Sequence, residues 1–167
     1  ERARNHSHVR ELETPTAGHR GALMTRLRSL SEFKGLQERL RDGHDPTSPV
    51  IGISAGTCGQ ASGANDLIRI AKREMLARGL TEKVRLRITG CHGYCQTEPS
   101  VLIEPQRTFY PKVGREQMAE IVDAVAKGTV LANLLFVDPQ TGKPVARQDN
   151  LPFYRDQVRT ILSRNEK

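Results

Sequence analysis

Tryptophan is absent, and four phenylalanines and three tyrosines are all the aromatics in 167 residues. With 37% apolar residues and a mean hydropathy of −0.53, the chain can build one modest core, and part of it must lie outside that core. No run approaches the ~18 uninterrupted apolar residues of a spanning helix, which excludes a membrane span. The formal charge of +7 is spread along the chain with no dense basic tract. With few aromatics to stack bases and no zinc-finger or RNA-recognition signature, that charge supports weak attraction to polyanions and excludes specific reading of nucleic acid. Three cysteines are too few and too odd for a disulfide scaffold. Internal repeats, low-complexity tracts, a P-loop and a zinc-protease helix motif are all missing. The first residue is Glu1 and no apolar signal segment follows, so the chain reads as a fragment or a processed form.

What is present divides the chain into four parts. Residues 1–20 lack a sustained apolar period and read as a disordered leader, in which His6, His8 and His19 are solvated tail residues. Residues 22–46 carry Leu23, Leu27, Leu30, Phe33, Leu36 and Leu40 at helical spacing, with Gly43 and Pro46 ending the pattern: an amphipathic helix and a linker. Residues 48–130 form the compact domain. Val50–Ser54 reads as a buried strand, 55–63 as a glycine-rich loop, and Ala64, Leu67, Ile68, Ala71 and Met75 as one face of a helix that stops at Gly79. Strands follow at 84–88, 100–104 and 107–113, with Pro111 favouring an edge, and a helix at 115–126 closes the domain. The order β-α-β-β-β-α predicts an α/β sandwich of the thioredoxin kind. Residues 131–167 read as a linker with turn residues around Asp138–Pro144 and a short helix over 152–163, whose apolar side needs a partner surface in the same domain or in a following one.

The chemistry lies in the thiols. Cys58 follows the first strand near a helix start; Cys91 and Cys95 lie in a glycine-containing loop after the second strand. In a parallel βαβ unit both loops leave the same end of the sheet, so the three thiols converge. Thiolates are soft ligands for iron–sulfur clusters, zinc or copper(I), and Gly90 and Gly93 allow backbone N–H groups to face bound sulfides. The glycine loop does not match GxGxxG, which argues against a phosphate cradle.

The segments Ala55-Gly56-Thr57-Cys58-Gly59-Gln60-Ala61-Ser62-Gly63-Ala64 and Thr89-Gly90-Cys91-His92-Gly93-Tyr94-Cys95-Gln96-Thr97-Glu98-Pro99 resemble those of the thioredoxin-like two-iron two-sulfur ferredoxins. These occur alone and as N-terminal domains of NADH-binding, diaphorase-type subunits of NADH dehydrogenases, NAD-linked hydrogenases and formate dehydrogenases. Residues 134–143 and 151–159 resemble the linker of the fused subunits. The resemblance implies a 2Fe-2S cluster on Cys58, Cys91 and Cys95. It implies FMN and NADH only in a partner domain that would follow, so the chain reads as the N-terminal piece of a longer subunit. It also implies contacts with a flavin/NADH-binding subunit and other iron–sulfur subunits, and a cytoplasmic place at the periphery of a membrane complex. The family pattern has four cysteines, two of them in the first loop. Here Cys58 is alone there and Ser54 stands four residues earlier, which makes Ser54 the candidate fourth ligand, with His92, Gln96, Glu98 and Ser62 as others.

Three functions compete. The first is an electron carrier in an NADH-linked oxidoreductase, with no complete catalytic site in this chain. The second is a cluster-less thioredoxin-like docking module for a flavin/NADH subunit. The third is thiol–disulfide chemistry at Cys58, for which no resolving cysteine stands at C-x-x-C spacing.

Overall fold

The structure, a computed structural model, describes residues 26–43 and 45–160. The leader histidines, the first residues of the expected N-terminal helix and the last of the expected C-terminal helix lie outside these. The chain separates into two units, one up to His44 and one from Asp45.

In the first unit, helix α1 spans Leu30–Asp42. It begins where the N-cap Ser29 Oγ accepts the Glu32 N–H at 3.1 Å, pairing one donor of the first turn, and Glu32 accepts the N–H of Arg28, just before the cap, at 2.6 Å. It buries none of its residues, and Leu30, Phe33 and Leu40 are exposed.

The second unit is built on a four-stranded sheet of β1 (Val50–Ser54), β2 (Arg85–Thr89), β3 (Val101–Glu104) and β4 (Thr108–Tyr110), in the order β2-β1-β3-β4. β1 and β2 are parallel; β3 runs against both of its neighbours. This is the expected thioredoxin-like α/β arrangement, with β1 in the interior because all five of its residues are buried. Between β1 and β2 the chain forms the one-turn helix α2 (Thr57–Ala61) and the long helix α3 (Ala64–Ala77). The glycine-rich stretch, expected to be loop, is thus partly helical. Gly63 is the joint: its φ of 102° is a conformation that suits glycine and breaks one helix from the next.

Ile51 and Ile53 of β1, Val101 and Ile103 of β3, and Tyr110 of β4 share one face. Leu67, Ala71 and Met75 of α3 and Met118, Ile121 and Val122 of helix α4 (Arg115–Lys127) cover it. Burying such a side chain contributes about 1.5–3 kcal/mol, so this face holds most of the folding free energy. Asp66 of α3 also pairs with Arg115 of α4, and Arg78 with Asp123 at 2.7 Å.

The opposite face carries Leu102 and Phe109, and the segment from 136 to 154 folds back across it. Phe136–Val137 (β5) pairs with Pro144–Val145 (β6), and the chain then runs along β4, with Phe109 N–H donating to Ala146 O and Gln148 N–H to Arg107 O, both at 2.9 Å. Leu151, which caps helix α5 (Pro152–Arg155), and Tyr154 within it complete a second core with Leu102 and Phe109. Of the apolar side read from the sequence, Tyr154 packs on this sheet, Val158 is exposed, and Ile161 and Leu162 lie outside the described residues. The helix is shorter than expected: after Arg155 the chain turns back, which sets the Arg159 guanidinium 4.1 Å from the centre of the Tyr154 ring.

Candidate metal centre

Parallel pairing of β1 and β2 puts Ser54 opposite Thr89 at the ends of their strands. The Ala55 N–H donates to Thr89 O at 3.0 Å and the Ser54 N–H to Ser100 O at 3.1 Å. The loop that holds Cys58 and the loop that holds Cys91 and Cys95 therefore start side by side. They also touch: a Cβ on Gly56 would lie 3.0 Å from Cys91 Cβ and 3.1 Å from its backbone nitrogen. Only a residue without a side chain lets the first loop lie this close to the second.

None of the three cysteines is in a disulfide; Cys58 and Cys95 are exposed and Cys91 is half-buried. Cys91 Sγ accepts the Gly93 N–H at 3.2 Å, the kind of bond that tunes sulfur ligands. Cys95 opens a 3-10 turn, Cys95–Thr97, fixed where Thr97 Oγ1 donates to Tyr94 O at 2.7 Å. Burial pushes the Cys91 thiol above its usual pKa, and the neighbouring Cys95 adds to that; the Gly93 N–H works against them. The two sulfurs of the second loop are thus near enough to act on each other.

Ser54 does not face the thiols as a free donor. It is fully buried, and its Oγ donates to Glu98 Oε1 at 2.6 Å. Glu98 Oε2 in turn accepts the Ser100 N–H at 2.9 Å. This buried carboxylate is held between the end of β1 and the exit of the cysteine loop, and hydrogen bonds to the charged form offset part of its desolvation. Gly59 belongs to the same joint. A Cβ there would be 2.5 Å from Ser54 O and 3.3 Å from Glu98 Oε2.

His92, one of the other candidate ligands, is 2% exposed. The reason lies in the second core: residues after 145 roof the loop over. Thr89 Oγ1 donates to Ile53 O at 3.4 Å and accepts from His92 Nε2 at 2.8 Å; Gln148 Nε2 donates to His92 Nδ1 at 3.5 Å. Arg107 in turn donates to Gln148 Oε1. This run of bonds assigns His92 the neutral Nε2–H form. Desolvation, reinforced by Arg159, Arg107 and Arg87, lowers its pKa to about 4. Tyr94, between the two cysteines, stacks on Phe153 and meets Tyr154 edge-on at 6.0 Å. Gln148 and Phe153 escape a sequence reading because they lie more than fifty residues beyond the cysteines, in a stretch read as linker. The pattern Leu151-Pro152-Phe153-Tyr154 was the only signal.

Among the described residues no three or more His, Cys, Asp or Glu side chains are gathered into a site for a single metal ion. A two-iron cluster makes a different demand, because its ligands form two pairs on two irons rather than one ring around a point. Cys91 and Cys95 suit one pair, Cys58 suits half of the other, and the Gly93 N–H suits a sulfur ligand. By residue type alone, three thiols match the soft ligands of such a cluster, where four ligands are needed. Ser54, engaged by Glu98, does not complete the fourth as it stands. Glu98 and His92 are buried with their polar atoms in use, and Gln96 and Ser62 are exposed.

No family model matches the chain. A curated relative, the 2Fe-2S ferredoxin of Clostridium pasteurianum, is 29% identical over 70 residues, which cover 41% of this chain and 69% of that protein. Among solved structures, the thioredoxin-like [2Fe-2S] ferredoxin from Aquifex aeolicus matches with a TM-score of 0.49 and 18% identity, over 52% of this chain and 88% of that one. A 1.5 Å crystal structure of the wild-type Aquifex protein gives the same score and covers 94% of that chain. No described helix is long and apolar enough to cross a membrane. What this chain is similar to, on these comparisons, is the thioredoxin-like 2Fe-2S ferredoxins.

Proposed function

We propose that this chain carries single electrons on a 2Fe-2S cluster held by Cys58, Cys91 and Cys95, and that it serves a flavin- and NADH-binding subunit of a diaphorase-type complex. The observation that carries the reading is the contact of the two cysteine loops at one end of the sheet, with Gly56 pressed against Cys91. The named relatives, 2Fe-2S ferredoxins, support the cluster. The place in an NADH-linked complex rests on the resemblance of residues 134–143 and 151–159 to the linker of fused subunits.

When bound, the cluster would supply one-electron chemistry. The chain's own part is to hold thiolates, to aim the Gly93 N–H at Cys91 Sγ, and to keep one side of the loop dry with Tyr94, Phe153 and Tyr154. Thiol–disulfide exchange at Cys58 is the poorer reading, since no resolving cysteine stands at C-x-x-C spacing from it. The docking module without a cluster is favoured by one observation, the engagement of Ser54 by Glu98, which leaves three thiols where four ligands are needed.

Anaerobic loading with iron and sulfide separates the two. The electron carrier takes up about two irons per chain and gives an electron paramagnetic resonance signal on reduction. Cys91→Ala and Cys95→Ala lose that iron. A chain that stays colourless and iron-free, yet still binds a flavin/NADH subunit, is the docking module.

A further inference from the structure

We propose that the outer edge of β2 docks an extended segment of a partner protein whose side chains alternate between apolar and acidic. β2 ends the sheet, and among the described residues it pairs only with β1. The Arg85 N–H donates to Pro49 O at 2.9 Å and Thr89 O accepts the Ala55 N–H at 3.0 Å, so both ends of the strand bond inward. In parallel pairing, alternate residues bond to one side and those between them to the other. Leu86 and Ile88 therefore turn their N–H and C=O groups outward, where an added strand pairs with all four.

The two faces of this edge differ in chemistry. The register sets Leu86 beside Ile51 and Ile88 beside Ile53, on the face that α3 covers. There Ile88 is 52% exposed and Leu76 of α3 is 73% exposed, and both line one shallow groove with Met75 and Lys72. Apolar residues exposed singly are ordinary; two in one groove along an open strand edge mark a surface that is covered. On the other face Arg85 and Arg87 stand beside Val50 and Gly52. Arg85 donates to Asp45 O at 3.2 Å and Arg87 lies 3.9 Å from Glu104, which holds both guanidinium groups along the strand. A strand laid on β2 thus meets apolar groups on one face and cations on the other, at its own period of two. Opposite charges across a strand pair stabilise and like charges destabilise, so acidic side chains fit beside the arginines. A second copy fits badly. Antiparallel pairing of β2 with itself about Arg87 faces that arginine with its own copy, and about Leu86 it faces Arg85 with Arg87; about Ile88 it runs the ladder into the cysteine loop. The arginines guard the edge against copies of this chain and select an acidic partner.

The test uses the full chain and a short fluorescein-labelled peptide that alternates valine and glutamate, at neutral pH, where its own charges keep it apart from its copies. Two peptides serve as controls: one of the same composition with its glutamates in a single block, and one that alternates valine and lysine. The expected result is saturable binding of the alternating acidic peptide, at least about tenfold tighter than the blocked one, and none of the lysine peptide. Amide exchange should slow at Leu86 and Ile88, the two N–H groups an added ladder uses, and not at Arg85, which is already bonded to Pro49 O. Ile88→Glu and Arg85→Glu alter exposed side chains, and each should weaken binding about tenfold with the circular dichroism spectrum unchanged. Failure of the alternating acidic peptide to bind overturns the inference. Equal binding of the blocked and alternating peptides does so too, because the surface then reads charge alone. So does exchange at Leu86 and Ile88 that ignores the peptide, or binding that neither variant weakens. A chain that sediments as a dimer, and as a monomer once Ile88→Glu is made, assigns the edge to a second copy and overturns the inference as well. None of these outcomes bears on iron uptake, so the electron carrier stands or falls separately.

Discussion

Tyr94 and Phe153 lie face to face, with ring centroids 4.1 Å apart and planes 12° from parallel. One ring belongs to the loop between Cys91 and Cys95, the other to a segment more than fifty residues later. The stack therefore fixes the conformation of the cysteine loop from the far end of the domain. Phe153→Ala removes it and exposes Tyr94. We expect a loss of about 2 kcal/mol, below the range for a fully buried Phe because Phe153 is half-buried. A urea titration reads the stability, and alkylation of the iron-free chain reads the loop. Cys91 and Cys95 should react several-fold faster than in the parent, with Cys58 unchanged. Equal rates at Cys91 and Cys95 would show that the loop holds its shape unaided.

Gln148 is the second tie between the same two regions. It is fully buried, donates to His92 at 3.5 Å and accepts from Arg107. Gln148→Leu keeps the bulk but leaves the His92 ring nitrogen without that donor in a dry place. A buried group left without its partner costs ~1–3 kcal/mol, and the unfolding midpoint should fall accordingly. If Gln148→Leu is as stable as the parent, the relay adds nothing to the fold and the second core carries the segment alone.

Much of the domain is legible in the sequence because its period is regular. The apolar run of β1 reflects a strand buried throughout, the i, i+3, i+4 spacing of α3 and α4 reflects burial of one face each, and they give the order of strands and helices along the chain. The second core is not legible, for a physical reason. It is assembled from four residues far apart in sequence, Leu102, Phe109, Leu151 and Tyr154, whose segments after 130 are too short and irregular to carry a period. The burial of His92 is hidden with it, since nothing near a histidine in a glycine-rich loop tells of the distant segment that covers it. The engagement of Ser54 is equally hidden, because it depends on the rotamer of Glu98 rather than on any spacing.

Gly59 tests the joint between the first cysteine loop and β1. An added Cβ would stand 2.5 Å from Ser54 O, closer than any packed carbon tolerates, and the obstacle is backbone. Gly59→Ala must push the start of α2 away from the strand end. Overpacking of this kind costs ~1–3 kcal/mol, and we expect the upper part of that range, together with weakened iron retention because Cys58 moves with the turn. Gly79→Ala is the control: its φ of 63° makes it strained as well, but nothing lies near its Cβ and it is remote from the thiols in sequence. It should lose stability without losing iron. If both variants retain iron equally, the Gly59 contact does not position Cys58.

His92 makes the iron-free domain sensitive to acid. Its pKa in the fold is about 4, against 6.5 for a solvated imidazole, because burial disfavours the cation and Arg159, Arg107 and Arg87 repel it. Above pH 6.5 the ring is neutral in both the folded and unfolded chains, and its contribution to stability is fully present. As pH falls below 6.5 the unfolded chain takes up a proton that the folded chain refuses, so stability is lost progressively until about pH 4, where the folded ring titrates too. A depression of this size corresponds to about 3 kcal/mol over that window. Carboxylates titrate in the same range, so the measurement is a difference. Urea midpoints of the parent and of His92→Gln, taken from pH 7 to pH 4, should converge by roughly that amount as the parent loses what the variant never had. Parallel curves would mean that the folded domain accepts the proton on His92 freely, and that the roof of Gln148, Tyr154 and Arg159 does not keep the ring dry.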